Sequence, residues 1–492
     1  MNIRLACLAI VLFYNHNVVA EEEHNYIQGF ALQHRINHDK FLAKKEFVGD
    51  WMVLLKNFKD DIISTHLKQP SKSQTIDTVL EIILSEDITQ KITPMVFIRT
   101  KINAAGEASS ILGFPPFNFQ DKEKTVLDWK GFTGKLTFAK NQDNLTVDFK
   151  IPYLLLNTEK QFLLFDKLHL NALFDPDLIV DKLDLIWKQF RHRDENGELD
   201  VHDLKFNLQV EKQEVNITNA TLNVKKILIN DGFFNSSLTD LGLTAQGKID
   251  NGVVNYKINT HIAKSFSNTK FTPNEPVIIN YQADFEFNRI NIDAVLDWQS
   301  MVRDLQKQRQ TGIISKQMLT MGKVFQLNEV LPMLLEKSPE FAITKLRLSS
   351  NNEILQATAS IGFDEEVIFS LDDTSNLLPA LQSQVDLTVS KKLLQQLIEP
   401  KILENLVQEV TKPNIQKLRK QAKIKTQEQI QSYIKNRWLL ELDNDIYKLT
   451  ANLYDGELQV NGQEKDLFFS SIELLAPPSI DEDLELDDED KI

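Results

Sequence analysis

The spacing of hydrophobic residues between Val126 and about Ile290 constrains the fold of this chain more than any other feature. Apolar and polar residues alternate there, which puts each kind on its own face of an extended strand. The segments with this period of two are residues 145–153, 206–210, 215–217, 222–224, 254–258 and 283–287. Turn sequences separate them, and Asp250-Asn251-Gly252, with alternation on both sides, is the strongest hairpin signal. The pattern predicts antiparallel sheet with one apolar and one polar face.

Helical spacing flanks this block on both sides. It predicts helices over residues 25–67, within 175–190, over 292–310 and over 324–337. A longer helical stretch runs from the cap residue Ser390 to residue 436, broken at Pro400 and Pro413, and its polar middle indicates a solvent-facing arm. Strands are expected at 78–84, 95–102 and within 341–389, a loop at 106–119 and a hairpin at 447–461.

The fold class that follows is α+β, with large, mostly antiparallel twisted β-sheets covered by amphipathic helices, a helical N-terminal region and a long helical arm near the C-terminus. We place the divisions of the 492 residues where the period changes or where breakers cluster. They are 1–20 signal peptide, 21–70 helical region, 75–290 first β-rich unit, 291–340 helical connection, 341–476 second β-rich unit with the arm 390–436, and 477–492 disordered acidic tail.

The first twenty residues have the three parts of a secretory signal peptide. Arg4 supplies the positive charge, residues 5–14 form the apolar core, and Val18-Val19-Ala20 supplies small or apolar residues at the cleavage site. The apolar core is about half as long as the roughly twenty residues of a membrane-spanning helix. We therefore expect export with cleavage after Ala20, and retention of the segment as an inner-membrane anchor is the alternative.

The cysteine count and the charge limit the chemistry further. Cys7 is the only cysteine, so a cleaved chain has no thiol nucleophile, disulfide or cysteine metal site. The formal net charge is −15, and the acidic residues of 481–490 predict a disordered tail that is either solubilising or a docking arm. This acidic balance argues against a nucleic-acid partner, which requires clustered Lys and Arg.

A histidine pair is the strongest metal candidate in the sequence. His34 and His38 are four residues apart on the expected N-terminal helix, with Asp39 beside them and His24 upstream. Two imidazoles on one helix face can bind Zn²⁺, but a site needs a third and a fourth ligand. The alternative interpretation is a solvated polar face.

The remaining candidates are weaker. His192, Asp194 and His202 flank the expected turn at 195–198, where they either meet across a hairpin or form part of a loop surface. The carboxylates at 364–366 and 372–373 lie at expected turns, without the contrasting environments of an acid–base pair. Because no nucleotide-binding, serine-hydrolase or zinc-protease motif is present either, we assign no catalytic, cofactor-binding or metal-binding residue and expect neither a cofactor nor an enzyme.

The apolar face of the predicted sheet raises a question that the sequence leaves open. Such a face needs a covering, because apolar surface in water is unfavourable. Helices and a second sheet would give a closed core. Incomplete covering would leave an apolar groove of the kind that holds acyl chains.

Several ordered segments carry a resemblance to a known family. They are Asp128-Trp129-Lys130-Gly131-Phe132-Thr133-Gly134, residues 331–340 with 343–348, residues 385–390 with Leu393-Leu394, and residues 438–462 ending in Asp455-Gly456-Glu457 to Gly462. Together they span most of 125–465 and resemble the YdgA-like family of Gram-negative envelope proteins, a domain of unknown function. The resemblance implies a periplasmic location, an N-terminal anchor and no established activity. The N-terminal third, which lacks the family's His-Gly-Pro turn near residues 85–99, and the acidic tail depart from the pattern.

The favoured interpretation is therefore a non-enzymatic structural or binding role in the periplasm. One alternative is a lipid-binding or lipid-transport module that uses an apolar sheet groove. Another is a metal-dependent hydrolase built on His34 and His38. The expected partners are lipid or an envelope protein, with membrane association through the N-terminus if it is uncleaved.

Overall fold

The computed structural model describes most of the chain between residues 27 and 465. The described ranges are 27–48, 51–67, 73–84, 95–120, 126–139, 144–195, 197–230, 234–269, 277–310, 330, 333–364, 377–408, 414–442 and 445–465. The expected signal peptide, the acidic tail and most of the helix expected at 324–337 lie outside them. The chain forms two compact units: Met1–Pro339 with Lys345–Asn352, and Glu340–Thr344 with Glu353–Ile492.

Eight strands open the first unit. They are β1 (Ile27–Ile36), β2 (Lys45–Val48), β3 (Gln74–Leu84), β4 (Met95–Ile102), β5 (Glu107–Phe114), β6 (Phe117–Gln120), β7 (Val126–Trp129) and β8 (Phe132–Ala139). Antiparallel pairing gives the order β2-β1-β3-β4-β5-β8. The hairpin of β6 and β7 joins this sheet at Pro115-Pro116 and at Gly131, whose φ of 83° suits a residue without Cβ.

Eight longer strands follow as a meander. They are β9 (Leu145–Asn157), β10 (Phe162–Phe174), β11 (Val180–Arg193), β12 (Glu198–Lys212), β13 (Asn216–Asn230), β14 (Phe234–Asp250), β15 (Val253–Thr269) and β16 (Val277–Asn291). Each pairs antiparallel with the next, and β9 also pairs with β8. The hairpin predicted at 250–252 is confirmed, since Asn251 and Gly252 have φ values of 51° and 77° between β14 and β15. One continuous antiparallel sheet results.

A line of irregular residues, here called the crease, crosses the middle of this meander. Its members lie opposite one another on β9 to β15 and are Pro152, Lys167, Lys188, Asp203, Lys225, Asp240 and Ala263. Every second strand places a residue in the left-handed region there, with φ values of 49° at Lys167 and 50° at Asp203 and Asp240. The crease is therefore a row of aligned irregular residues, one on each strand, and the one-to-one register of the strands continues across it.

The crease changes which residues point to each face. On β11, Leu183, Leu185 and Trp187 alternate up to the crease, and the apolar series then resumes at Phe190 instead of 189. The rings of Trp187 and Phe190 are 5.1 Å apart, so residues three apart share one face. Each neighbouring strand also has one irregular residue at the crease, so the alternation shifts by one position on all of them and the register is kept.

Two helices pack on the sheet. Helix α1 (Trp51–Leu67) inserts Phe58 and Ile62 into a core whose other members come from β1, β3 to β5 and β8 to β10. Helix α2 (Ile292–Gln310) packs Ile292, Val295 and Leu296 against the ends of β13 to β16. The sequence prediction for residues 292–310 is confirmed at both ends.

The second unit is smaller. Its elements are α3 (Leu377–Ala380), α4 (Lys391–Gln408), α5 (Ile415–Lys435), β18 (Glu353–Phe363), β19 (Leu381–Ser390), β20 (Leu440–Leu442), β21 (Ile446–Tyr454), β22 (Glu457–Val460) and β23 (Gln463–Lys465), and β17 (Glu340–Ser350) contains the boundary with the first unit. The sheet order is β18-β19-β21, with β20 and β22 on the other side of β21. The predicted hairpin at 447–461 is confirmed, and Leu403, Leu406 and Leu418 join α4 to α5.

The predicted N-terminal helix over 25–67 is wrong in its first half, within the region 21–70 expected to be helical. Residues 27–36 and 45–48 are strands, and the helix covers Trp51–Leu67. Phe30, Leu32 and His34 alternate toward the core, and pairing of β1 with both β2 and β3 favours the extended chain.

Three other local predictions are also wrong. The segment 106–119 is mostly strand, because its prolines occupy only the joint between β5 and β6. The segment 175–190 is mostly β11, because alternate residues of that segment face the apolar side. Helix α4 continues through Pro400, where packing on α5 compensates for the lost hydrogen bond, and the Ser390 hydroxyl makes no capping bond.

Candidate functional site

The apolar face of the meander is the most extensive feature that could serve binding. Its residues lie in rows across β9 to β16, set by the strand register. The rows are 151-168-187-204-224-241-262-281, 149-170-185-206-222-243-260-283, 147-172-183-208-220-245-258-285 and, beyond the crease, 154-165-190-201-227-238-265-279. Only Thr260 and Ser265 carry a hydroxyl on the stretch formed by β11 to β15, and no charged residue occurs there. We call these 20 positions on five strands the apolar face.

The opposite face of the same strands is polar. Asn207, Thr221, Thr244 and Asn259 follow one another across β12 to β15, and Asn259 Nδ2 donates to Asp284 Oδ1 at 2.8 Å. At the crease, Lys188 Nζ donates to Asp203 Oδ1 at 2.6 Å, and this bond lowers the pKa of the Asp203 carboxyl. One face is therefore suited to water and the other to hydrocarbon.

Covering of the apolar face is uneven. The same rows are buried over β9 and β10, where Ala172 lies in the core that contains α1, and Phe165 and Leu163 lie in a second cluster with Trp129, each of the three being 1% exposed. Over β11 to β15 the residues of the rows are mostly half-buried, with Val224 as the buried exception. Accessible apolar surface thus remains on these five strands, although Leu183 and Leu185 of β11 also pack against the core that contains α1.

Helix α2 bounds the apolar face at one end of the strands. Gln299 exchanges two hydrogen bonds with the backbone of Asn216, at 3.0 and 2.8 Å. One turn further along, Arg303 forms ion pairs with Asp175 and Asp177 in the β10–β11 turn, at 3.5 and 3.2 Å. The helix is about 28 Å long, which is close to the width of six strands. It therefore closes the strand ends from β16 toward β10.

The predicted metal pair His34 and His38 does not form. His34 lies on β1 and is buried, whereas His38 lies in the following turn, with φ 67° and a side chain that is 65% exposed. His38 Nδ1 is 3.5 Å from Asp77 Oδ2 instead of meeting His34. His24 lies outside the described residues. The two histidines lose the predicted helical spacing because the segment is a strand and a turn.

His34 contacts a hydroxyl and a carboxylate, which are the residue types of a catalytic triad, but the hydroxyl is not accessible to a substrate. Its Nδ1 is 2.8 Å from Thr78 Oγ1, and its Nε2 is 3.3 Å from Asp61 Oδ2, which Lys45 also contacts. Thr78 is only 1% exposed, so no substrate reaches its hydroxyl. Burial lowers the pKa of His34 and outweighs the opposing effect of Asp61. The arrangement anchors α1 to β1 and β3.

The second predicted set, His192, Asp194 and His202, does not come together either. His192 pairs with Leu199 and His202 with Gln189, so the two imidazoles lie on opposite faces of the β11–β12 hairpin. Asp194 instead accepts a bond from the backbone of Gly197 in the turn. His202 Nε2 is 3.0 Å from Asp200 Oδ1.

Other site predictions have simple outcomes. Asp364 accepts a bond from Gln382, and the carboxylates 365, 366, 372 and 373 lie outside the described residues. Among described residues, no three His, Cys, Asp or Glu side chains group closely enough to bind a metal ion. None of the helices that the structure describes is both long and apolar enough to cross a membrane.

The comparisons with known proteins give a family but no function. A family model described as bacterial protein of unknown function, DUF945, matches residues 81–467. No curated protein and no solved structure matches the chain. The sequence resemblance is thus confirmed as far as a bacterial domain of unknown function, and the YdgA-like designation stays a prediction.

Proposed function

This chain belongs to the bacterial DUF945 family, and we propose that it is a non-enzymatic envelope protein that binds the acyl chains of a lipid on its apolar face. The observation that carries the proposal is the half-buried apolar surface on β11 to β15. The proposal combines the expected binding role with the groove alternative. It includes export of the chain, which rests on the N-terminal sequence alone.

The size of the apolar face supports a bound hydrocarbon. Four rows on five strands, at about 4.8 Å between strands and about 3.4 Å per residue, cover roughly 650 Å². The largest apolar patch of an ordinary soluble monomer is roughly 300–600 Å² and is often functional. The footprint of the face is the upper limit of its exposed apolar area, because its side chains are mostly half-buried, and the absence of charged residues from these rows favours an apolar ligand.

The chemistry of the face favours binding over catalysis. An acyl chain is held by burial of CH₂ groups, at about 0.8 kcal/mol each, and requires no directed polar contact. The rows of β11 to β15 supply such burial, contain no acid–base pair, and carry hydroxyls only at Thr260 and Ser265. Thr260 Oγ1 donates to Ala283 O, so its hydroxyl serves the sheet.

Adjacent residues of β13 provide the test. Leu222 is half-buried on the apolar face, and Asn223 is exposed on the polar face. We expect Leu222→Lys to weaken binding of cis-parinaric acid by at least about tenfold, because burying an ammonium in hydrocarbon costs more than the 1.4 kcal/mol that a factor of ten represents. Asn223→Lys adds the same charge on the other face and is expected to bind normally. Fluorescence titration measures both.

Native mass spectrometry of the gently extracted protein gives an independent readout. We expect bound acyl chains in the wild type and in Asn223→Lys, and their loss in Leu222→Lys, with circular dichroism confirming that all three are folded. Absence of acyl chains from the wild type, together with equal titrations of the two variants, would refute the proposed function.

A further inference from the structure

Helix α5 of the second unit has a series of exposed lysines along one side. Lys417, Lys420 and Lys423, here called the lysine row, are all exposed. Residues three and four apart lie on the same side of a helix, so Ile424, which is 54% exposed, lies next to Lys420. Leu418 belongs to the buried side of α5, which packs against α4. The lysine row is therefore on a surface that α4 leaves open.

The charge of α5 is opposite to that of the whole chain. The helix has Lys or Arg at 417, 419, 420, 423, 425 and 435 and one acidic residue, Glu428, whereas the chain has a formal net charge of −15. None of the three side chains of the lysine row forms an ion pair with another residue that the structure describes. Their positive charge is thus uncompensated on this surface.

The lysine row also lies at the end of the helix where cations are unfavourable. Asn414 caps α5, and its side chain accepts a hydrogen bond from the backbone N–H of Lys417 at 3.2 Å. The first turn of a helix favours acidic side chains because of the helix dipole, and α5 has none there. Like charges three residues apart also repel each other. Helix stability therefore does not explain the lysine row, whereas an anionic binding partner does.

We infer that the lysine row binds the surface of a bilayer that contains anionic phospholipids, with Ile424 in contact with the headgroup region. Lysine side chains suit this partner, because their apolar stems and charged ends both find favourable surroundings at a membrane surface. The exposed isoleucine adds apolar contact at the same level. A nucleic acid would instead favour aromatic side chains between the cations, and the lysine row has none.

This inference goes beyond the proposed function. It concerns a surface of the second unit, whereas the apolar face belongs to the first unit, and neither requires the other. Binding of an acyl chain by the apolar face depends on burial of hydrocarbon, whereas binding by the lysine row depends on the charge of the lipid headgroup. The two can therefore be measured separately.

Vesicle co-sedimentation of the full-length protein tests the inference. One set of vesicles contains phosphatidylcholine alone, and the other contains equal amounts of phosphatidylcholine and phosphatidylglycerol. We expect much tighter binding to the anionic vesicles. Raising the salt from about 0.1 M to about 1 M shortens the Debye length from about 10 Å to about 3 Å and should abolish this preference.

Two lysines of the same helix provide a matched pair of variants. Lys420→Gln removes one charge of the lysine row and should weaken binding to the anionic vesicles about fivefold, which corresponds to about 1 kcal/mol for one lysine at an anionic surface. Lys435→Gln removes the same charge from an exposed position in the last turn, about 22 Å along the helix, and should bind like the wild type.

Lys417→Glu separates weakened binding from unfolding. It reverses a charge of the lysine row and places an acidic residue where the helix dipole favours one, so binding should weaken by at least fivefold while the melting temperature is unchanged or higher. Equal binding of the wild type to both kinds of vesicle, or binding to neither, would overturn the inference and leave an acidic protein or a nucleic acid as the partner. Equal effects of Lys420→Gln and Lys435→Gln would also overturn it.

Discussion

At the scale of single residues, burial decides the behaviour of His34. The imidazole contacts Thr78 and the Asp61 carboxylate in the core, with Lys45 on the other oxygen of Asp61. The carboxylate favours the charged imidazolium, whereas removal from water and the nearby ammonium disfavour it, and the net result is a lowered pKa. His34 is therefore neutral in the folded protein at neutral pH.

This lowered pKa predicts a pH dependence of stability. The unfolded chain, in which His34 has its ordinary pKa near 6.5, binds more protons than the folded chain below that pH. The contribution of His34 is thus fully present above pH 6.5 and is lost as the pH falls through the lower folded pKa. We expect the free energy of unfolding, measured with urea, to decrease between pH 7.5 and pH 5.5.

The variant His34→Gln should flatten this decrease, because glutamine keeps hydrogen-bonding groups and does not titrate. The control His38→Gln removes a mostly exposed histidine and should leave the decrease as in the wild type. If both variants gave the same pH profile, the assignment to His34 would be wrong.

At the scale of elements, a segment with one clear hydrophobic period has the helix or strand that this period predicts. Residues 95–102, 353–363 and 292–310 form β4, β18 and α2 with the expected bounds. Each of these segments has one dominant period. In contrast, β1 and β11 were not predictable, because their apolar residues also fit helical spacing and their strand partners decide the outcome.

The crease was not predictable from the sequence for another physical reason. A left-handed residue within a strand is usually signalled by glycine, but Lys167, Asp203 and Asp240 occupy these positions. The uneven covering of the apolar face was likewise not predictable, because it depends on where α1 packs on the sheet, which a single sequence does not determine.

The left-handed residue of β10 provides a stability test. Lys167→Val places a β-branched side chain at φ 49°, where it is strained, and we expect a loss of about 1–3 kcal/mol in the free energy of unfolding. Lys167→Gly removes the strain and should be neutral or slightly stabilising. Urea unfolding measures both.

Lys205→Val is the matched control, because Lys205 is an exposed residue of β12 outside the left-handed set. Valine suits a regular strand, so this variant is expected to change stability by less than about 0.5 kcal/mol. Equal losses at positions 167 and 205 would show that the crease imposes no backbone requirement.

At the scale of the whole molecule, the proposed role depends on where the protein is. Export to the envelope would place the apolar face where lipids are exchanged between membranes, and it rests on Arg4, the apolar residues 5–14 and Ala20. Family membership supports a bacterial protein and leaves the compartment as part of the proposal.

We expect a mature protein that begins at Glu21 in the periplasmic fraction of a Gram-negative host, as determined by intact mass. Ala20→Arg should block cleavage, because the −1 position requires a small residue, and should leave a precursor heavier by the signal peptide. Glu22→Gln, beyond the cleavage site, should be processed normally. Full-length wild type in the membrane fraction would instead support the anchor alternative.

The crease also has a consequence for how the sheet avoids mispairing as it folds. Alternation alone penalises a strand that slips by one residue, since apolar side chains then face water, but a slip of two residues restores the alternation. With an aligned crease, a two-residue slip moves the irregular residue of one strand out of line with its neighbours and turns the residues beside it to the wrong face. Each long strand of the meander therefore has one residue that must align with those of its neighbours. A two-residue slip, which simple amphipathic strands would tolerate, becomes unfavourable.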